Sequence, residues 1–144
     1  MKGLNRALGD GSSSVDRSLL AQGDNKKTGT VRVVVVSDTH NCMLSSVPAG
    51  DVLVHCGDFS MKGTSAEVSA FCDWLESQPH EHKIVIAGNH DMGLEFLSTE
   101  EIKAVHARLA GICTLLENSE ATVAGLRFWG SPQTPYISKK RRMG

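Results

Sequence analysis

Three apolar runs without polar alternation stand out along the chain: Val31 to Val36, "DVLVHC" from Asp51 to Cys56, and "KIVIA" from Lys83 to Ala87. Continuous β-branched runs of this length predict strands buried on both faces, the pattern of a parallel sheet. Between the second and third runs, Val68, Phe71, Cys72 and Leu75 recur at helical spacing. The spacing predicts an amphipathic helix from Ser65 to Gln78, with Ser65 as N-cap, Glu67 in the first turn and Pro79 just past the end. A second helix is expected from Thr99 to Ala110, capped by Thr99 and ended by Gly111. Ile112 to Leu116 reads as a short strand, and "ATVAGLRFWG" as a hairpin turning at Ala124-Gly125. Trp74 and Trp129 are expected in the core.

Strands alternating with a helix define an α/β layered sheet with flanking helices, and a right-handed crossover through the first helix makes the second and third strands parallel. Met1 to Thr30 is rich in Gly, Ser, Asn, Asp and Lys. Such a segment buries too little apolar surface to offset its ordering entropy, which predicts a disordered arm over 1–30. The domain is placed at 31–137 and a basic tail at 138–144.

Composition narrows the classes of function. At 144 residues the chain has room for one domain, and a net charge of −1 provides no global field for nucleic acid or an anionic membrane. No apolar stretch approaches the ~20 residues of a membrane span, and no secretory pattern opens the chain. A soluble cytoplasmic location is the default expectation. Cys42, Cys56, Cys72 and Cys113 form no C-x-x-C pair and read as reduced thiols. "KKRR" near the end reads as solvated charge. His80 and His82 read as a solvated loop, and His55 as a hydrogen-bonded sheet residue near the site, with support of the site's ligands as the lesser alternative. A Gly-rich phosphate loop of the G-x-G-x-x-G or G-x-x-x-x-G-K type is missing, which sets nucleotide binding of that kind aside.

The candidate chemistry lies just after each strand. The first run empties into Ser37-Asp38-Thr39-His40, the second into Gly57-Asp58, the third into Gly88-Asn89-His90-Asp91. In parallel sheets ligands bind outside the C-terminal strand ends, where these loops gather. In an extended segment residues i and i+2 point the same way, so Asp38 and His40 are expected to close on one point, with Asp58 and Asn89 arriving from neighbouring strands. Carboxylate, amide and imidazole donors suit Mn²⁺, Fe²⁺, Zn²⁺ or Mg²⁺. A central carboxylate can bridge two ions, and an ion pair ~3.5–4 Å apart clamps a phosphate ester and generates a nucleophile at neutral pH.

"DTH", "GD" and "GNHD", in this order and each after a strand, resemble the calcineurin-like metallophosphoesterase family. More narrowly, "SDTH", "GDVLVHCGDFS", "WLESQPHEHKIVIAGNHD" and "FWGSPQTP" are similar to its metallophosphoesterase-domain-containing branch, which acts on cyclic nucleotides and other phosphodiesters. The resemblance covers Val31 to Tyr136. It implies that Asp38 and His40 bind a first metal, that Asp58 bridges two metals, and that Asn89 binds the second and touches the phosphate. His90 would stabilise the phosphoryl oxygens or protonate the leaving group, with Asp91 orienting its ring. The implied partner is a small phosphoester substrate, with no nucleic acid and no membrane.

The family's later ligands, a downstream His and a Gly-His-x-His pair, have no counterpart. After His90 the sequence holds a single histidine, His106, which reads as a helix residue rather than a ligand. The expectation is therefore the N-terminal half of the fold, as in a C-terminally truncated copy. The rival expectation is a catalytically incompetent fragment that binds metal weakly or acts through an exposed sheet edge.

Overall fold

The computed structural model describes residues 29–91 and 98–133. The expected arm, apart from its last two residues, and the expected basic tail lie outside them. The described residues form strands β1 (Val33–Val36) and β2 (Val52–His55), helix α1 (Ser65–Ser77), strand β3 (His82–Val85), helix α2 (Thr99–Ile112), and strands β4 (Thr114–Leu115), β5 (Ser119–Val123) and β6 (Leu126–Gly130). β1 to β4 make one parallel sheet in the order β1-β2-β3-β4, and β5 pairs antiparallel with β6. The mixed α/β architecture with a parallel sheet is the expected one. None of the described helices is long and apolar enough to cross a membrane.

The two faces of the sheet carry separate clusters. Leu53 and Val85 project to one side and pack against Val68, Phe71, Cys72, Trp74 and Leu75 of α1 and Leu109 of α2. Val52, Ile84 and Leu116 project to the other, under Ala121, Val123 and Phe128 of the hairpin. Alternation of side chains along each strand assigns neighbours to opposite faces, which is why a continuous apolar run is needed here.

Both helices begin with a capping box, each one residue earlier than expected. Thr64, not Ser65, caps α1 with Glu67 reciprocating, and Ser98, not Thr99, caps α2 with Glu101. The side chain three residues before a Glu is the one that reaches its backbone N–H, so the Thr64–Glu67 and Ser98–Glu101 spacings decide the start. α2 also continues through Gly111 to Ile112, with Cys113 as C-cap. The hairpin turns where predicted: Ala124 and Gly125 both have positive φ, 49° and 78°, as a type I′ connection requires.

Four further expectations are corrected. β1 begins at Val33 and forms an edge of the sheet, where Val35 is 61% exposed rather than covered on both faces. Trp129 is 67% exposed, because Ala121 and Phe128 take the inward positions of the hairpin and Trp129 alternates outward. His80 is buried, with Nε2 3.0 Å from the Pro48 carbonyl. His82 opens β3 instead of lying in a loop.

Candidate metal centre

The strand-end loops are held in register by a hydrogen-bond ladder that outlasts the strands. Past β1, Asp38 N–H donates to Gly57 O (3.0 Å), His40 N–H to Asp58 O (2.9 Å) and Asn41 N–H to Phe59 O (2.9 Å). This pairing is not extended strand. Asp38, His40, Asn41 and Asp58 all have φ between 43° and 65°, the left-handed region. Non-glycine residues there are uncommon, and a cluster of them marks a backbone shaped for a site.

The left-handed turns redirect the side chains. His40, Asp58 and His90 each present a donor atom, and these atoms lie within 4.8 Å of one another. Ligands on one ion at ~2.0–2.2 Å are separated by at most about 4.4 Å, so a few tenths of an ångström of adjustment gathers all three. Asp38, expected to point with His40, is not in this group: the i/i+2 rule holds for extended backbone and fails at φ 56° and 43°. Its exposed carboxylate accepts a hydrogen bond from Ser37 Oγ. Asn89 is exposed on the loop between Gly88 and His90.

The two imidazoles are set for the same task. His40 Nδ1 lies 3.2 Å from Ser60 O, and His90 Nδ1 lies 3.0 Å from Met61 O. A carbonyl only accepts, so each neutral ring donates from Nδ1 and keeps a lone pair on Nε2 for a cation or a proton. The rings meet edge to face with centroids 4.7 Å apart. The donor set, two imidazole nitrogens and a carboxylate, fits a borderline divalent ion.

Asp91 does something other than orient His90. Its fully buried carboxylate accepts from Ser60 Oγ (2.6 Å), Gly88 N–H (2.8 Å), Ser60 N–H (2.9 Å) and Phe59 N–H (3.4 Å). It thereby clasps the β3 loop to the β2 loop, while His90 N–H donates to Asp58 Oδ1 at 2.8 Å. Gly88 makes the approach possible, since a Cβ there would fall on the Asp58 carboxylate and lie 2.5 Å from its backbone nitrogen. On the other flank, Asn41 Nδ2 donates to Glu67 Oε1 at 2.7 Å. That bond and those from Thr64 hold the Glu67 carboxyl down to about 2, joining the His40 loop to the start of α1.

Below the site sits His55, read from the sequence as a sheet residue near the site with support of the ligands as the lesser alternative. His55 is fully buried and its pKa is lowered to about 4, because burial disfavours the imidazolium more strongly than the neighbouring carboxylates Asp91, Asp38 and Asp58 favour it. The signal was a histidine in an otherwise apolar strand. His106, by contrast, is half-exposed on α2, 4.0 Å from Glu117, as its reading as a helix residue implies.

Parallel strands whose C-terminal loops pool imidazole and carboxylate donors define a layered α/β class with a candidate metal site at the strand ends. The chain belongs to the calcineurin-like phosphoesterase family, whose model matches residues 31–125. It is 40% identical over 132 residues to metallophosphoesterase domain-containing protein 1 of Homo sapiens and of Mus musculus, a match covering 78% of this chain and 40% of those proteins. It is also 44% identical over 119 residues to probable rhamnogalacturonate lyase C of Emericella nidulans, covering 76% of this chain but 11% of that protein. The chain thus spans about two fifths of the length of the human and mouse relatives.

Proposed function

We propose that this chain holds two divalent ions, Mn²⁺, Fe²⁺, Zn²⁺ or Mg²⁺, and hydrolyses phosphodiesters of small-molecule substrates such as cyclic nucleotides, in the cytoplasm. The observation that carries the reading is the convergence of His40, Asp58 and His90 from three successive strand ends. Family membership supports phosphoester chemistry, and four free cysteines suit a reducing compartment.

In this reading His40, Asp38 and Asp58 would hold the first ion, and Asp58 and Asn89 the second. When bound, such ions stabilise charge on phosphoryl oxygens and lower the pKa of water. Asn89 and His90 would contact the phosphate. The Met61 carbonyl fixes the His90 ring through Nδ1–H, so that Nε2, once it has taken up a proton from solvent, would pass it to the leaving oxygen. Asp91 keeps this loop against Phe59 and Ser60, beside Asp58.

A second reading, a metal-binding or interaction unit without turnover, is favoured by Val35, 61% exposed on the edge strand β1. Hydrolysis of an aryl phosphodiester by the Mn²⁺-loaded chain, beside Asp58→Asn, separates the two. We expect turnover that disappears with chelator and with Asp58→Asn. Equal rates in the two proteins overturn the enzyme reading.

A further inference from the structure

We propose that His55 is a positioning residue that fastens two of the metal-bearing loops to the core with one ring, a role that rests on the metal-site reading above. His55 ends β2 on the helix-covered face and is 0% exposed. Its ring is held edge-on by Phe71, Phe59 and Trp74, with centroids 5.1, 5.9 and 6.3 Å away. An apolar side chain would fill that space as well, so packing alone does not account for an imidazole here.

Its hydrogen bonds do. The Gly57 N–H lies 3.3 Å from Nδ1, which must accept. The neutral ring then carries its hydrogen on Nε2, which donates to Thr39 Oγ1 at 3.0 Å. Thr39 stands between Asp38 and His40, and Gly57 immediately precedes Asp58. A single rigid ring therefore ties the Thr39 side chain to the Gly57 backbone, next to candidate ligands in both loops, at a place where His40 and Asp58 adopt left-handed conformations that the surroundings must enforce. Groups that orient metal ligands contribute strongly to metal affinity without touching the ion.

The test uses the full chain with His55→Phe, which keeps ring packing and loses both bonds, His55→Gln, whose amide can still donate to Thr39, and Thr39→Val. Amide hydrogen exchange without metal and calorimetric titration with Mn²⁺ are measured for each, with Asp58→Asn alongside. We expect His55→Phe to speed exchange in residues 37–41 and 57–60 ahead of α1, and to weaken Mn²⁺ binding by about 10–100-fold. His55→Gln should recover part of that loss. Thr39→Val should weaken binding in the same direction and add little on top of His55→Phe, as two partners in one bond do. Fully additive losses, or loop exchange that matches wild type, overturn the proposal. If His55→Phe fails to fold, His55→Gln and Thr39→Val carry the same comparison. Equal Mn²⁺ affinity in wild type and Asp58→Asn means that the metal-site reading itself has failed, and loop exchange then decides whether His55 holds the loops.

Discussion

The two faces of the sheet are built to different standards. On the helix side Phe59 and Phe71 stack at 4.1 Å over Leu53, Leu75 and Val85, and Trp74 anchors the β1–β2 connection through Nε1 to Leu44 O at 3.0 Å. On the hairpin side Val52, Ile84 and Leu116 are buried, yet Leu126 and Val35 remain 40% and 61% exposed. The candidate ligands are tied to the first face. His55 rests among its aromatic rings, and Glu67 at the start of α1 holds Asn41. The difference teaches that the site borrows its rigidity from the helix-packed layer, and the hairpin contributes cover more than support.

Deleting an aromatic ring on the helix side should separate the faces most sharply. Phe71→Ala removes a fully buried ring that touches both Phe59 and His55, and should cost about 3–5 kcal/mol in denaturant unfolding. A loss under about 1 kcal/mol would place the stabilising core elsewhere.

Acidification probes the same face with no mutation. The folded pKa of His55, about 4, lies below its ordinary value of 6.5, so the unfolded chain takes up the proton first. The associated stability is fully present above about 6.5 and is lost as pH falls from there towards 4. The loss approaches about 3 kcal/mol at 1.36 kcal/mol per pKa unit. Wild type should therefore lose more stability between pH 7 and pH 4.5 than His55→Phe does, and parallel pH profiles would contradict this.

The smallest effect is expected on the hairpin. Trp129→Ser should change stability by no more than about 0.5 kcal/mol, since the indole faces outward. A loss comparable to Phe71→Ala would erase the distinction between the faces.

Much of this was legible in the chain. The parallel strands, both helices and the Ala124-Gly125 turn follow from local periodicity and turn chemistry, which the packing did not override. Helix starts were misplaced by one residue, because Thr64 and Ser98 are selected by reciprocal bonds with Glu67 and Glu101 and not by position before the apolar stripe. Trp129 and Val35 went wrong for a different reason. Apolar character does not say which sheet face will be covered, and strand order places β1 at an edge.

At the site, the loops carrying "DTH", "GD" and "GNHD" come together, but side-chain direction depended on backbone torsions that sequence does not display. Left-handed Asp38 and His40 undo the extended-strand alternation, which leaves His90, rather than Asp38, in the group with His40 and Asp58. Asp91 proved to be a buried clasp because its neighbours Ser60 and Gly88 come from the right distance only in the fold.

The central claim is that side chains from three strand ends gather around one metal centre. Paramagnetic broadening of backbone amide resonances on adding substoichiometric Mn²⁺ tests it most directly. The account predicts that resonances of 39–41, 57–60 and 88–91 broaden together at the lowest Mn²⁺, and that Asp58→Asn abolishes the effect. Broadening centred on a single loop, or on His106 and Glu117 instead, would contradict it.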